Sequence, residues 1–210
     1  MSSDEQTLAE DSNFSLLAAG FGQGPEFDSV LRAALHSSNP RERIIALRGL
    51  VRQNLTTTQE WVQSLEDSDP DVRREALQQF AYAQPRDAAL LALVLQLLAD
   101  SDPLVVDAAV FACGELELNE AVEALCAIAS SHDDARCRES AVAALGSIGD
   151  ERGLPVILQS LEDKPPVRRR AIVALANFEG PEVDAALEKA SDDRDWQVRA
   201  AVGQLGRDID

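Results

Sequence analysis

The chain has 210 residues, 45% apolar and only 4% aromatic, with 37 acids against 19 bases and a net charge of −18. That length suits one ordinary domain or one short repeat array, the apolar runs stop short of the roughly 18–20 residues of a membrane span, and the negative balance argues against DNA or anionic membranes as partners. The first residues, MSSDEQTLAEDS, lack the regions of a signal peptide, and Cys113, Cys126 and Cys137 fit buried thiols of a reducing compartment better than a disulfide framework, so a cytoplasmic protein is expected.

In chain order, residues 1–13 form an acidic arm outside any helical pattern, and FSLLAAGFGQG at 14–24 reads as a partial helix sealing the first repeat. From there to the end, 14–210 is read as one repeat domain. Pro40, Pro70, Pro103 and Pro165 are each followed six residues later by an alanine, Ala46, Ala76, Ala109 and Ala171. Ala141 joins the series without a proline, and the five alanines are 30, 33, 32 and 30 residues apart, a period that signals a repeat array. The repeats fall at 25–53, 57–83, 85–115, 118–148, 152–178 and 180–207. Each holds two helical patterns. The first helices are predicted at 25–36, 57–66, 85–99, 118–130, 152–161 and 180–190. The second helices are predicted at 40–53, 70–83, 103–115, 135–148, 165–178 and 195–207.

The second helices open on a recurring phrase, SDPDV at 68–72 and SDPLV at 101–105. Asp69 suits an N-cap, because its carboxylate accepts from free N–H groups of the first turn. Pro70 suits the first helical position, where no N–H is needed. Val72, Ala76, Leu77 and Phe80 then share one helix face, and the alanine keeps the side chain small where two helix backbones come close.

This pattern resembles HEAT repeats, and most closely the short bacterial kind of the phycobilisome lyases. The resemblance rests on Val72–Arg73, Cys137–Arg138, Val167–Arg168 and Val198–Arg199, and on the Leu–Gly exits at 145–146 and 205–206. Glu42 in place of the valine and Val106 in place of the arginine depart from it. It implies an all-α fold, an α-solenoid wound as a right-handed superhelix of about six antiparallel helix pairs, with the second helices lining a concave side. The positions two and six after the valine would then face a partner: Arg74, Gln78, Asp107, Phe111, Glu139, Ala143, Arg169 and Val173, together with Arg48 of the first repeat. It also implies that Arg73, Arg138, Arg168 and Arg199 are structural, pairing with aspartates of neighbouring repeats.

Charge and chemistry narrow the function. No Lys or Arg stands between Arg86 and Arg136, a stretch with ten acids. Within it Glu115, Glu117, Glu120 and Glu123 form a candidate acidic docking patch for a basic or amphipathic partner; the alternative is that these repeats are simply the best-buried middle of the array. Cys126, His132 and Cys137 lie within twelve residues, but the helical pattern places both cysteines on interior stripes and supplies no fourth zinc ligand. GFGQG at 20–24 has neither the strand nor the lysine of a phosphate loop. Neither a catalytic residue nor a metal or cofactor is expected. The expected function is a non-enzymatic scaffold binding a protein or peptide along the concave face. The alternatives are a phycobilisome-lyase-like bilin attachment factor, by resemblance, and a HEAT-fold DNA-modifying protein.

Overall fold

The computed structural model describes residues 16, 18–22 and 24–205; the acidic arm at 1–13 and Gly206 lie outside them. All regular structure among these residues is helical. The first helix of each pair is α1 (Pro25–Ala34), α3 (Thr58–Leu65), α5 (Ala88–Gln96), α7 (Val122–Ser131), α9 (Leu154–Gln159) and α11 (Pro181–Ser191). The second is α2 (Pro40–Arg52), α4 (Pro70–Ala83), α6 (Pro103–Glu115), α8 (Ala135–Ile148), α10 (Pro165–Ala174) and α12 (Trp196–Gln204). Short 3-10 turns extend α5 and α9 at their ends and precede α7 and α9, so these predicted helices keep their place but tighten at the edges. The residues divide into two compact units, one up to Val94 and the other from Leu95.

The second helices begin where the sequence predicts and for the same reason. Asn39, Asp69, Asp102, Asp134 and Asp195 each accept the N–H two residues on, filling one of the donors a helix start leaves open. Thr57 and Glu60 close a capping box on α3. Ala46, Ala76, Ala109, Ala141 and Ala171 are all fully buried, and Val72, Val105, Cys137, Val167 and Val198 stand at 0–1% exposure. The repeating stripe is therefore the core. The segment 14–24 does seal the first pair where it is described: Ala18–Phe21 is helical, Ala19 is buried, and Gln53 donates to the Ala19 carbonyl at 3.2 Å.

Within each unit, arginine–aspartate pairs tie successive repeats. Arg43 grips Asp67 with two hydrogen bonds of 2.7 Å. Arg138 grips Asp163 at 2.7 and 2.8 Å, and Arg168 grips Asp193 at 2.9 and 2.7 Å. Each arginine also donates Nη1 to a backbone carbonyl before its own helix: Ser37, His132 and Asp163 respectively. The planar fork suits this double duty. Each aspartate in turn accepts a nearby backbone N–H, that of Asp69, Lys164 or Asp195, and so shapes the turn before the next second helix. The fork holds the Asp163 and Asp193 carboxyls below the usual carboxylate range. Arg43 belongs to this ladder although the sequence pattern omits it, because Glu42 hides the valine that marks the position.

The ladder has one double substitution. Val106 replaces the arginine and is 2% exposed. Its register partner in the next repeat, where Asp67, Asp163 and Asp193 stand elsewhere, is His132. That histidine keeps the aspartate's local task, its Nδ1 accepting the Asp134 N–H at 3.1 Å. An aspartate there would face an apolar side chain; an imidazole nitrogen accepts the same N–H without bringing a carboxylate that needs an arginine.

Candidate functional site

In the second unit α6, α8, α10 and α12 pack side by side in that order. Each turns its valine–alanine stripe inward and leaves the residue six after the valine outward. Phe111 and Val173 are 39% and 46% exposed, and Trp196, in the first turn of α12, is 66% exposed. Large apolar side chains left in water on one face are the feature that separates a contact surface from a solvated one.

Two clefts run between these helices. The one between α6 and α8 holds about 330 Å³ and is lined by Phe111, Glu115, Glu139, Ala143, Ser147 and Arg170, among others. The one between α10 and α12 holds about 410 Å³, with Arg169, Arg170, Val173, Trp196, Gln197 and Gln204 on its walls. A roomier hollow of about 660 Å³ lies on the first-helix side. Two of its three cations are engaged, Arg168 with Asp193 and Lys189 with Glu162.

The residues two after the valine are half-buried because they reach sideways to the next second helix. Asp107 accepts the Ser140 hydroxyl. Glu139 meets Arg170 at 3.4 Å, and Arg169 donates to Gln197 Oε1 at 3.3 Å. The run Arg168–Arg169–Arg170 thus splits, Arg168 to the ladder, Arg169 to the α10–α12 cleft and Arg170 to the wall that both clefts share. Phe111, Glu139 and Arg169 come together along the clefts, with Asp107 beside them.

Arg48, Arg74 and Gln78 belong to the first unit. Arg48 forks onto Glu75, which is 5% exposed, and so balances a buried acid. Arg74 pairs with Asp71 one turn back at 3.0 Å. Gln78 is exposed. The acidic residues Glu115, Glu117, Glu120 and Glu123 are all exposed, but only Glu115 lines a cleft. Glu117 sits in the turn after α6 with φ 51°, and Glu120 and Glu123 lie at the start of α7, where Arg152 reaches the Asn119 carbonyl at 3.2 Å.

The sequence reading placed Val173 on the outward face but passed over Trp196 beside it. Its signal is a bulky apolar residue at a position that the repeat leaves outward. Cys126 corrects another expectation. It is half-buried at the edge of α7 with its thiol toward the Arg152 carbonyl, 3.8 Å away, because the stripe of α7 runs through Val122, Leu125, Ile128 and Ala129 instead. Cys137 points to the Pro103 carbonyl. Burial pushes the Cys113 thiol up to about 12 and the Cys137 thiol up to about 11, the opposite of what a thiolate nucleophile needs. Among the described residues no three of His, Cys, Asp and Glu gather as metal ligands, and no helix is long and apolar enough to cross a membrane.

Comparison with known proteins decides the family. The HEAT repeats family matches residues 58–146 and 122–205, together more than two thirds of the chain. The chain belongs to the HEAT-repeat family. Its helix pairs are HEAT repeats, and the arginine–aspartate ladder and buried alanines are how this sequence builds them. No curated protein matches it. Among solved structures, an engineered protein is 21% identical over 85% of this chain and 94% of its own, with a TM-score of 0.62. The complex of CpcE and CpcF of phycocyanin lyase from Nostoc sp. PCC7120 is 22% identical over 86% of this chain and 76% of its own, also at 0.62. A designed armadillo repeat protein in complex with the peptide (KR)4 is 18% identical over 90% and 96%, at 0.60. At these identities the likeness is one of fold, an α-helical repeat architecture shared by HEAT and armadillo proteins.

Proposed function

We propose that this HEAT-repeat protein is a non-enzymatic scaffold that binds a protein or peptide on the second-helix face of its second unit. The observation that carries the reading is the outward row of Phe111, Val173 and Trp196 beside two clefts. Apolar anchors between charged walls are what peptide recognition uses: side-chain pockets hold the anchors and flanking charges set register. The designed armadillo neighbour, solved with a peptide, supports peptide binding on a fold of this kind. The half-buried or buried thiols, all with raised pKa, favour binding over the bilin-attachment alternative, because a thiol nucleophile needs the reverse shift.

Selection of a random peptide library on the immobilised protein tests this. Peptides should enrich on the native chain and be lost on a Val173→Asp/Trp196→Ala variant that keeps its helical circular dichroism. Enriched peptides that bind the variant equally well would place binding elsewhere.

A further inference from the structure

The two clefts carry opposite charge, and this fixes more about the partner than shape does. On the α6–α8 side, Glu115 is exposed and has no ion pair among the described residues. Asp107, outside the cleft lining, accepts the Ser140 hydroxyl and feels the charge of Arg136, so it adds little to this balance. Glu139 is the one acid there with a cation, Arg170, which it meets at 3.4 Å. That pairing removes both from the balance and leaves the first cleft negative. On the α10–α12 side, Arg169 contacts a neutral amide oxygen and no carboxylate among the described residues. The remaining walls are Arg170, already matched by Glu139, and the uncharged Val173, Trp196, Gln197 and Gln204 among others, so the second cleft is positive. A cationic cleft with an aromatic wall is a local exception on a chain of net charge −18.

We propose, resting on the peptide-binding reading above, that the partner is a bipolar peptide segment. It seats one bulky apolar side chain in each cleft, with a basic residue beside the α6–α8 anchor and a carboxylate beside the α10–α12 anchor. Charge complementarity commits the choice. A wholly basic peptide meets Arg169 at one end, and a wholly acidic one meets Glu115 at the other. Like charges brought together across an interface penalise the wrong partner. The clefts are two helix-to-helix steps apart, roughly 16–20 Å at 8–10 Å per step. An extended chain covers that span in about six residues at roughly 3.3 Å each. Trp196 closes the second cleft and stacks on the apolar anchor, while Arg169 takes the carboxylate.

Four fluorescein-labelled peptides test this by anisotropy against the full chain. Each has two phenylalanines six residues apart in a Ser/Gly background. The residues beside the two phenylalanines are Lys and Glu, Glu and Lys, Lys and Lys, or Glu and Glu. The two bipolar orders cover both chain directions. One of them should bind about tenfold more tightly than either uniform peptide, the factor expected when a like-charge contact becomes a favourable one. Arg169→Glu should move the preference to the Lys–Lys peptide, and added salt should shrink the differences. Equal binding of all four that is lost with Trp196→Ala overturns the bipolar assignment and leaves the peptide-binding face standing. Binding by none of the four, or binding untouched by Trp196→Ala, overturns the inference; the library selection then decides the reading beneath it.

Discussion

The closeness of the second helices makes a sharp prediction at three glycines of the same unit. A Cβ added at Gly203 in α12 would meet nothing within 4 Å. At Gly114 in α6 it would lie 3.1 Å from both Cα and Cβ of Ala144. At Gly146 in α8 it would lie 2.6 Å from Ala174 Cβ and 2.8 Å from Ala174 Cα. Alanine in place of glycine favours a helix interior by about 0.8–1 kcal/mol. Against this, a carbon about 1 Å inside ordinary contact forces backbones apart, and overpacking of this kind costs about 1–3 kcal/mol. The same substitution should therefore change sign along the series. Gly203→Ala should stabilise by about 0.5 kcal/mol, reduced because the site is one residue from the helix end. Gly114→Ala should be near neutral, and Gly146→Ala should destabilise by about 1–2 kcal/mol. Urea titrations followed by far-ultraviolet circular dichroism read this as ordered midpoints at unchanged slope. A Gly146→Ala midpoint that rises with that of Gly203→Ala would refute close backbone approach as the reason for the Leu–Gly exit.

The interrupted ladder gives a double-mutant cycle: Val106→Arg alone should cost about 3 kcal/mol by burying an unpaired guanidinium, and adding His132→Asp should recover at least about 1 kcal/mol of it. Arg168→Met should lower the unfolding midpoint, because it strips the partner from Asp193 in a pair whose arginine side chain is 4% exposed. The folded carboxyls of Asp163 and Asp193 titrate below their unfolded values. Their contribution is thus complete above the ordinary carboxylate range near ~4 and lost as pH falls through the lower folded values. Acid titrations of Arg138→Met and Arg168→Met should accordingly show a shallower loss of stability below that range than the native chain. Glu117 holds a left-handed φ of 51° after α6, so Glu117→Gly should stabilise the fold by about 1 kcal/mol, read as a higher urea midpoint, and leave peptide binding unchanged.

Helix placement was legible because capping residue, proline, valine and alanine recur at fixed offsets, and each acts within one turn or across one helix contact. The buried state of Ala46, Ala76, Ala109, Ala141 and Ala171 follows from that register. The site was legible only in part. Phe111, Glu139, Arg169 and Val173 were found from the outward register, which also named Asp107. Trp196 was passed over because it stands two residues before the valine, where the other repeats carry proline or alanine. Arg48 looked free in sequence, yet its acid partner Glu75 lies 27 residues on in the next repeat, a distance that a local pattern does not reach. His132 reads in sequence only as a loop residue, and the aspartate ladder shows which side chain it replaces.

Trp196 itself supplies the most direct test of the binding face. Trp61 is 4% exposed and stacks edge-on against Phe80 with ring centroids 5.3 Å apart, so Trp61→Phe leaves a folded chain with one reporting indole. Acrylamide quenching of that single tryptophan, with and without a peptide selected on the native protein, reads whether the peptide covers it. Strong quenching in the free protein, falling with a blue-shifted emission as the peptide saturates, is the expected result; a saturated complex whose Trp196 stays as quenchable as before contradicts the account.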